Sequence, residues 1–222
     1  MRYSLPPKEL SVWKGRIGEK AVQLYINDVL APKLIQEGFD LVFYDMPPFP
    51  YIGLDPSQQE SIPYVFRRLF LSRGVYLNAD LLEKACNLAL LLEVATDGIL
   101  FKLNKTGRSI ARKEALSRSK GGVKYFRDGH PAWFVDWRTL PKKAPIVSGE
   151  MEVVEIKTDK AFIMPHQMEN YREVLKNGYL IRYFHVDIIS FEENEFEICE
   201  RVISSAKELK ILRSNFSKRN KY

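Results

Sequence analysis

Residues 151 to 157 read Met-Glu-Val-Val-Glu-Ile-Lys, an apolar run that ends with a carboxylate and an ammonium two positions apart. In an extended strand positions i and i+2 share a face, so Glu155 and Lys157 project together while Val154 and Ile156 point the other way. Burying both charges at the end of an apolar strand is expensive unless they bind something. A carboxylate that holds a metal ion, beside an amine that serves a phosphate or a water, would resolve the expense. Ten residues beyond Lys157 stands Gln167-x-x-x-Tyr171. Residues four apart on a helix share a face. That face can turn an amide and a phenol toward Lys157; equally, Gln167 can be a helix cap and Tyr171 a core residue.

Further acids are candidates for the same ion. Pro131-Ala-Trp-Phe-Val-Asp136 is an apolar strand that also ends in a carboxylate, nineteen residues before Glu155. Two neighbouring strands joined by a medium loop would bring Asp136 and Glu155 side by side. Two converging carboxylates suit Mg²⁺ or Mn²⁺, which complete their shells with waters and phosphate oxygens. Glu19 lies in Arg16-Ile-Gly-Glu-Lys, where Gly18 would let a helix come close to a sheet or a phosphate; a solvated helix residue is the other reading. His130, His166 and His185 are not at zinc-ligand spacing and read as turn, helix-start and strand residues. Trp133, Phe134 and Trp137 could stack bases or simply pack.

Together these pieces resemble the PD-(D/E)XK nuclease superfamily. The pieces are the R-x-G-E turn at Arg16–Glu19, the strand acid Asp136, E-I-K at Glu155–Lys157, and Q-x-x-x-Y at Gln167–Tyr171. The last is typical of the RecB-like branch, and the helix-then-sheet order is similar to archaeal Holliday junction resolvases. The resemblance runs from Gly15 to about Ile189, with a non-matching insertion between Met46 and about Lys120. It implies a restriction-endonuclease-like core and a Mg²⁺- or Mn²⁺-dependent DNA endonuclease acting on branched recombination, repair or replication intermediates, as a homodimer. In that scheme Asp136 and Glu155 hold the ion, with Glu19 helping directly or through water. Lys157 orients the attacking water or stabilises the phosphate's developing charge, and Gln167 and Tyr171 position the backbone or Lys157. The chain departs from the pattern in having Val135, not proline, before Asp136. Asp97, in Thr-Asp-Gly-Ile-Leu, is a rival for the same role. It is far from Glu155 in sequence and falls at an expected helix C-terminus, so Asp136 is preferred.

The elements around these residues can be read from periodicity and punctuation. A helix is expected from Ser11 to about Leu30, a strand at Phe39–Tyr44, and a proline-rich excursion at Met46–Pro63. Helices follow at Ile62–Ser72 and Asn78–Thr96, then a short strand at Ile99–Leu103. Thr106–Lys120 reads as an exposed helix or loop, Val123–Trp137 as a hairpin about Asp128-Gly129, and Leu140–Gly149 as a loop. Strands at Met151–Thr158, Tyr179–Ile189 and Phe196–Val202, a helix at His166–Asn177 and a terminal basic helix complete the list. This order predicts an α/β fold with a central mixed sheet flanked by helices. It suits a single nuclease-like domain over 1–222, with core segments at about 11–45 and 121–202, a largely helical insertion at about 46–120 and a basic tail at 203–222.

Composition sets the remaining bounds. With 222 residues, 45% of them hydrophobic, the chain can bury a real core. No apolar run is long enough to span a membrane and no signal pattern opens the chain, so an intracellular location is expected. Two cysteines, Cys86 and Cys199, exclude a four-cysteine zinc site or iron–sulfur cluster within one chain. Lys102–Arg127 holds nine basic residues against one acid, and Arg201–Tyr222 seven against one, while Asp128–Glu200 carries fourteen acids against eight bases. Basic arms around an acidic middle fit a polyanion held over a carboxylate site. The same pattern fits a non-catalytic nucleic-acid-binding protein, or a scaffold for acidic partners.

Overall fold

The computed structural model describes residues 7–45, 62–92, 96–119, 126–127, 130–131, 140–190, 193 and 195–219. Helix α1 (Pro7–Tyr25) begins four residues ahead of Ser11 and continues through a π-helical turn (Ile26–Leu30) into α2 (Ala31–Gln36). The Ala31 N–H bonds to the carbonyl of Ile26, five residues back. This widened turn lies just ahead of Pro32, whose missing N–H and bulky ring would break a regular helix.

Strand β1 (Leu41–Asp45) follows, and after it α3 (Ile62–Ser72), β2 (Tyr76–Leu77) and α4 (Ala79–Leu91). Asn78 caps α4, its side chain accepting from the Leu81 N–H at 2.8 Å. Strand β3 (Gly98–Ala111) is far longer than the expected Ile99–Leu103 and leads into α5 (Arg112–Arg118). Strands β4 (Phe126–Arg127) and β5 (His130–Pro131) pair about the expected turn. Strand β6 (Lys143–Thr158), helix α6 (Pro165–Lys176), strands β7 (Leu180–Ser190) and β8 (Glu195–Ile203), and helix α7 (Ala206–Arg219) complete the described chain.

The fold is α/β, with an open, mixed six-stranded sheet in the order β1-β3-β6-β7-β8, and β2 beside β6. β1, β3 and β6 run antiparallel in turn, β7 lies parallel to β6, and β8 returns antiparallel. The parallel step needs a crossover, which α6 supplies. Strand alternation sends Leu100, Val154, Ile156 and Phe184 to one face, where they pack with Val22, Ile26 and Leu30 of the first helices. Ile99, Phe101, Val153 and Tyr183 face the other side, against α3, α4, α6 and α7.

Two expectations are corrected. Leu140–Gly149 is largely strand, not loop: β6 starts at Lys143 and tolerates Pro145 because its partner Ser109 lies at a register shift in β3. Residues 98–111, assigned from sequence to the insertion, form a strand in the middle of the sheet. Their polar second half resembles a loop because it runs past the covered part of the sheet, where the side chains from Asn104 to Ser109 are exposed. The excursion at Met46–Ser61 and most of Val123–Trp137 lie outside the described residues.

Charges also enter the first-helix face of the sheet. Lys102 Nζ pairs with Glu152 at 2.6 Å and Glu150 at 2.9 Å. Arg182 joins Glu152, at 2.5 Å, to Glu200, which accepts from the Tyr25 hydroxyl at 2.9 Å. Burial opposes the charge on Glu152, yet hydrogen bonds from Arg182 and Lys102 hold its carboxyl below the usual range. This network links β3, β6, β7 and β8 to α1.

Candidate active site

The pocket is built around Glu155, which is only 1% exposed. As its place on β6 requires, it faces the α6 side of the sheet. Lys157, two residues on, forms an ion pair with Glu155 Oε1. Gln167 donates from Nε2 to the same oxygen at 3.3 Å, and the Tyr171 hydroxyl donates to Oε2. Gln167 also accepts from the Met164 N–H at the start of α6, at 3.0 Å. Cap and site ligand are therefore one residue: the amide oxygen closes the helix and the amide nitrogen holds the carboxylate. Tyr171 is likewise both a core residue, 1% exposed, and a site donor.

Asp97 stands at the head of β3. Antiparallel pairing sets Gly98 against Val154, which brings Asp97 across from Glu155. Its Oδ2 accepts from the Ile156 N–H at 2.5 Å, and its carbonyl accepts from the Tyr44 hydroxyl. Gly98 is required beside it: its φ is +157°, and a Cβ there would collide with the Tyr44 ring. Burial, then repulsion from Glu155, pushes the Asp97 carboxyl up to about 7, with Glu19 adding in the same sense. The Ile156 N–H and Lys157 oppose this rise. Burial also raises the Glu155 carboxyl, against the pull of Lys157, Tyr171 and Gln167. Burial and the nearby Glu155 push the Tyr171 phenol well above its ordinary value, so it stays a donor.

Glu19 arrives on α1. The helix comes close because position 18 is glycine: a Cβ there would strike Thr158 Oγ1 on β6. One turn earlier, Lys14 pairs with Asp159, whose other oxygen accepts from the Ile188 N–H at 3.0 Å. Asp159 has a φ of +52°, so the turn after β6 is held in the left-handed region by these contacts. Glu19 is close enough to Asp97 for its charge to act on that carboxyl.

Glu155, Lys157, Gln167 and Tyr171 thus converge, while Glu19 reaches the group only through its charge on Asp97. Asp136, the preferred strand acid, lies outside the described residues, as do Trp133, Phe134 and Trp137. Asp97 stands beside Glu155 instead. Its separation in sequence is closed by one antiparallel pairing, and it opens a strand rather than ending a helix. His185 is a buried strand residue between Tyr183 and Asp187, and it is paired in register with Lys157, so it borders the site on the β7 side. Two carboxylates of raised proton affinity beside one ammonium suit a hard divalent cation better than a soft one. Among the described residues no three of His, Cys, Asp and Glu are close enough to enclose an ion by themselves.

Comparison with family models, curated proteins and solved structures returned no match. Among the described residues no helix is long and apolar enough to cross a membrane.

Proposed function

We propose that the protein is a metal-dependent DNA endonuclease of PD-(D/E)XK type, with Asp97 and Glu155 as its metal-binding carboxylates. The observation that carries this reading is the meeting of Asp97 and Glu155, each made more basic by burial, beside Lys157. Such a pair repels itself until a cation is shared. Glu19 is placed to add a carboxylate directly or through water. A bound Mg²⁺ or Mn²⁺ would lower the pKa of a water and neutralise charge on the phosphate.

The chain's own residues do the rest. Lys157 donates to the attacking water or to a non-bridging phosphate oxygen as negative charge grows there. Gln167 and Tyr171 fix both oxygens of Glu155, so the carboxylate is oriented before substrate arrives. Water forms a new bond to phosphorus, giving up a proton to solvent, as the bond to the leaving oxygen breaks, and the leaving oxygen takes a proton from solvent. Action on branched DNA by a homodimer follows from the likeness to junction resolvases, since two cuts need two sites.

One observation favours a second reading, a DNA-binding protein without catalysis. Glu155 already has Lys157, Gln167 and Tyr171 as partners, leaving about one acceptor position open. Incubation with linear, nicked and four-way DNA in Mg²⁺ and Mn²⁺ separates the two. We expect cleavage that falls at least ~10²-fold in Asp97→Asn, Glu155→Gln and Lys157→Ala, with DNA binding retained. Absence of cleavage in either ion would leave the binding reading. Full activity in Asp97→Asn together with loss in Asp136→Asn would return the metal role to Asp136.

A further inference from the structure

The half of β3 that runs beyond the covered sheet carries a second feature. Lys105, Arg108, Lys113, Lys142 and Lys143 are all exposed. The ion pairs among the described residues leave all five without an acidic partner. Of the acids beside them, Glu114 is taken by Arg118, and Asp40 is engaged by the backbone, accepting from the Lys105 N–H at 2.7 Å. A rigid backbone holds these cations: Lys105 is paired with Val147 and Ala111 with Lys143, while the Arg112 N–H bonds to the Lys142 carbonyl at 3.0 Å. The Thr106 hydroxyl pins the register shift by donating to the Ile146 carbonyl at 3.0 Å.

A surface evolved only for solubility mixes both signs, because like charges within a Debye length repel. A mainly cationic stripe on a fixed ribbon is complementary to a regular polyanion. Lys105 is eight strand positions from Asp97, or about 26 Å at about 3.3 Å per residue. The stripe therefore cannot be part of the pocket. We propose that this ribbon is a second duplex-DNA contact, gripping backbone phosphates about eight base pairs from the site of cleavage, at about 3.4 Å per pair. The choice of DNA as the polyanion rests on the nuclease reading of the pocket; the presence of the contact does not.

The test measures duplex affinity against salt concentration in EDTA, which keeps cleavage out of the readout. We expect Lys105→Ala/Arg108→Ala/Lys143→Ala to flatten the log–log slope by about 2.7, at about 0.9 per lost phosphate contact. Lys105→Arg/Lys143→Arg should keep the wild-type slope, since the contact is with charge. An unchanged slope in the alanine variant overturns the proposal. So does wild-type protein that binds phosphatidylserine vesicles or an acidic polypeptide through these residues but not duplex DNA. Cleavage is scored separately in Mg²⁺. If the slope changes but wild type never cuts, the ribbon stands and the pocket reading falls; a cutting enzyme with an unchanged slope gives the reverse.

Discussion

At the scale of single residues, Glu155 is held at a cost in stability. Its burial is unfavourable, and three donors only partly offset it. We expect Glu155→Gln to leave the metal-free protein as stable as wild type or more so and, on the proposed nuclease reading, to abolish cleavage. Tyr171→Phe should act in the opposite way on stability. It leaves a buried carboxylate oxygen without its donor and should lower the urea midpoint by the equivalent of ~1–3 kcal/mol. A Tyr171→Phe protein of wild-type stability would show that the phenol merely packs. Much of this constellation is legible in the chain. Glu155 and Lys157 follow from strand alternation, and Gln167 and Tyr171 from helical spacing. The sequence left open whether Gln167 caps or serves the site, because one amide with two ends does both. The nearness of Asp97 to Glu155 is hard to read from the chain, because separation along it says nothing about a partner supplied by antiparallel pairing. The Thr-Asp-Gly-Ile-Leu pattern, an acid one step ahead of an apolar strand, was the available signal. The charges joining Lys102, Glu152, Arg182 and Glu200 carried no such signal, since each looks like an ordinary surface residue until the strands are paired.

At the scale of elements, α1 must lie close to β6 for the charge of Glu19 to act on Asp97. The contact of Gly18 with Thr158 sets that distance, and the pairing of Lys14 with Asp159 fixes its angle. We expect Gly18→Val to destabilise by ~1–3 kcal/mol through overpacking. Thr158→Ala should recover part of that loss in the double variant, because the collision is with the threonine hydroxyl. Strictly additive effects in the double-mutant cycle would show that the two residues do not touch. The close approach was anticipated from Gly18, and helices α3, α4 and α6 and strands β7 and β8 appear within a few residues of their expected bounds. The long strands were not anticipated. β3 and the first third of β6 are polar or proline-bearing, and only their mutual hydrogen bonding makes them strands, which no local pattern records.

At the scale of the whole molecule, the pocket and the charge network on the opposite face of the sheet respond to pH in opposite senses. Asp97 takes up its proton more readily in the folded chain, near 7, than at its ordinary 3.8. A raised folded value contributes stability that is full below about pH 4 and is lost as pH rises through about 7. Glu155 acts in the same sense. Glu152, held low by Arg182 and Lys102, contributes above its ordinary value and loses that contribution as pH falls. We therefore expect the urea midpoint of the metal-free protein to drop between about pH 4 and about pH 7, by no more than the order of 4 kcal/mol. Asp97→Asn should flatten that drop; an equal drop in the variant would mean that the aspartate is not buried as described. The last consequence belongs to β6. On one flank β3 accompanies almost its whole length, while on the other β7 takes residues 152–158 and β2 takes 146–147. Phe66, Phe70 and Leu88 from the intervening helices share one apolar interior with Val153 and Tyr171. Excising 62–92 would therefore strip a flank and hollow the centre together, so no trimmed minimal version of this protein should survive as a folded body.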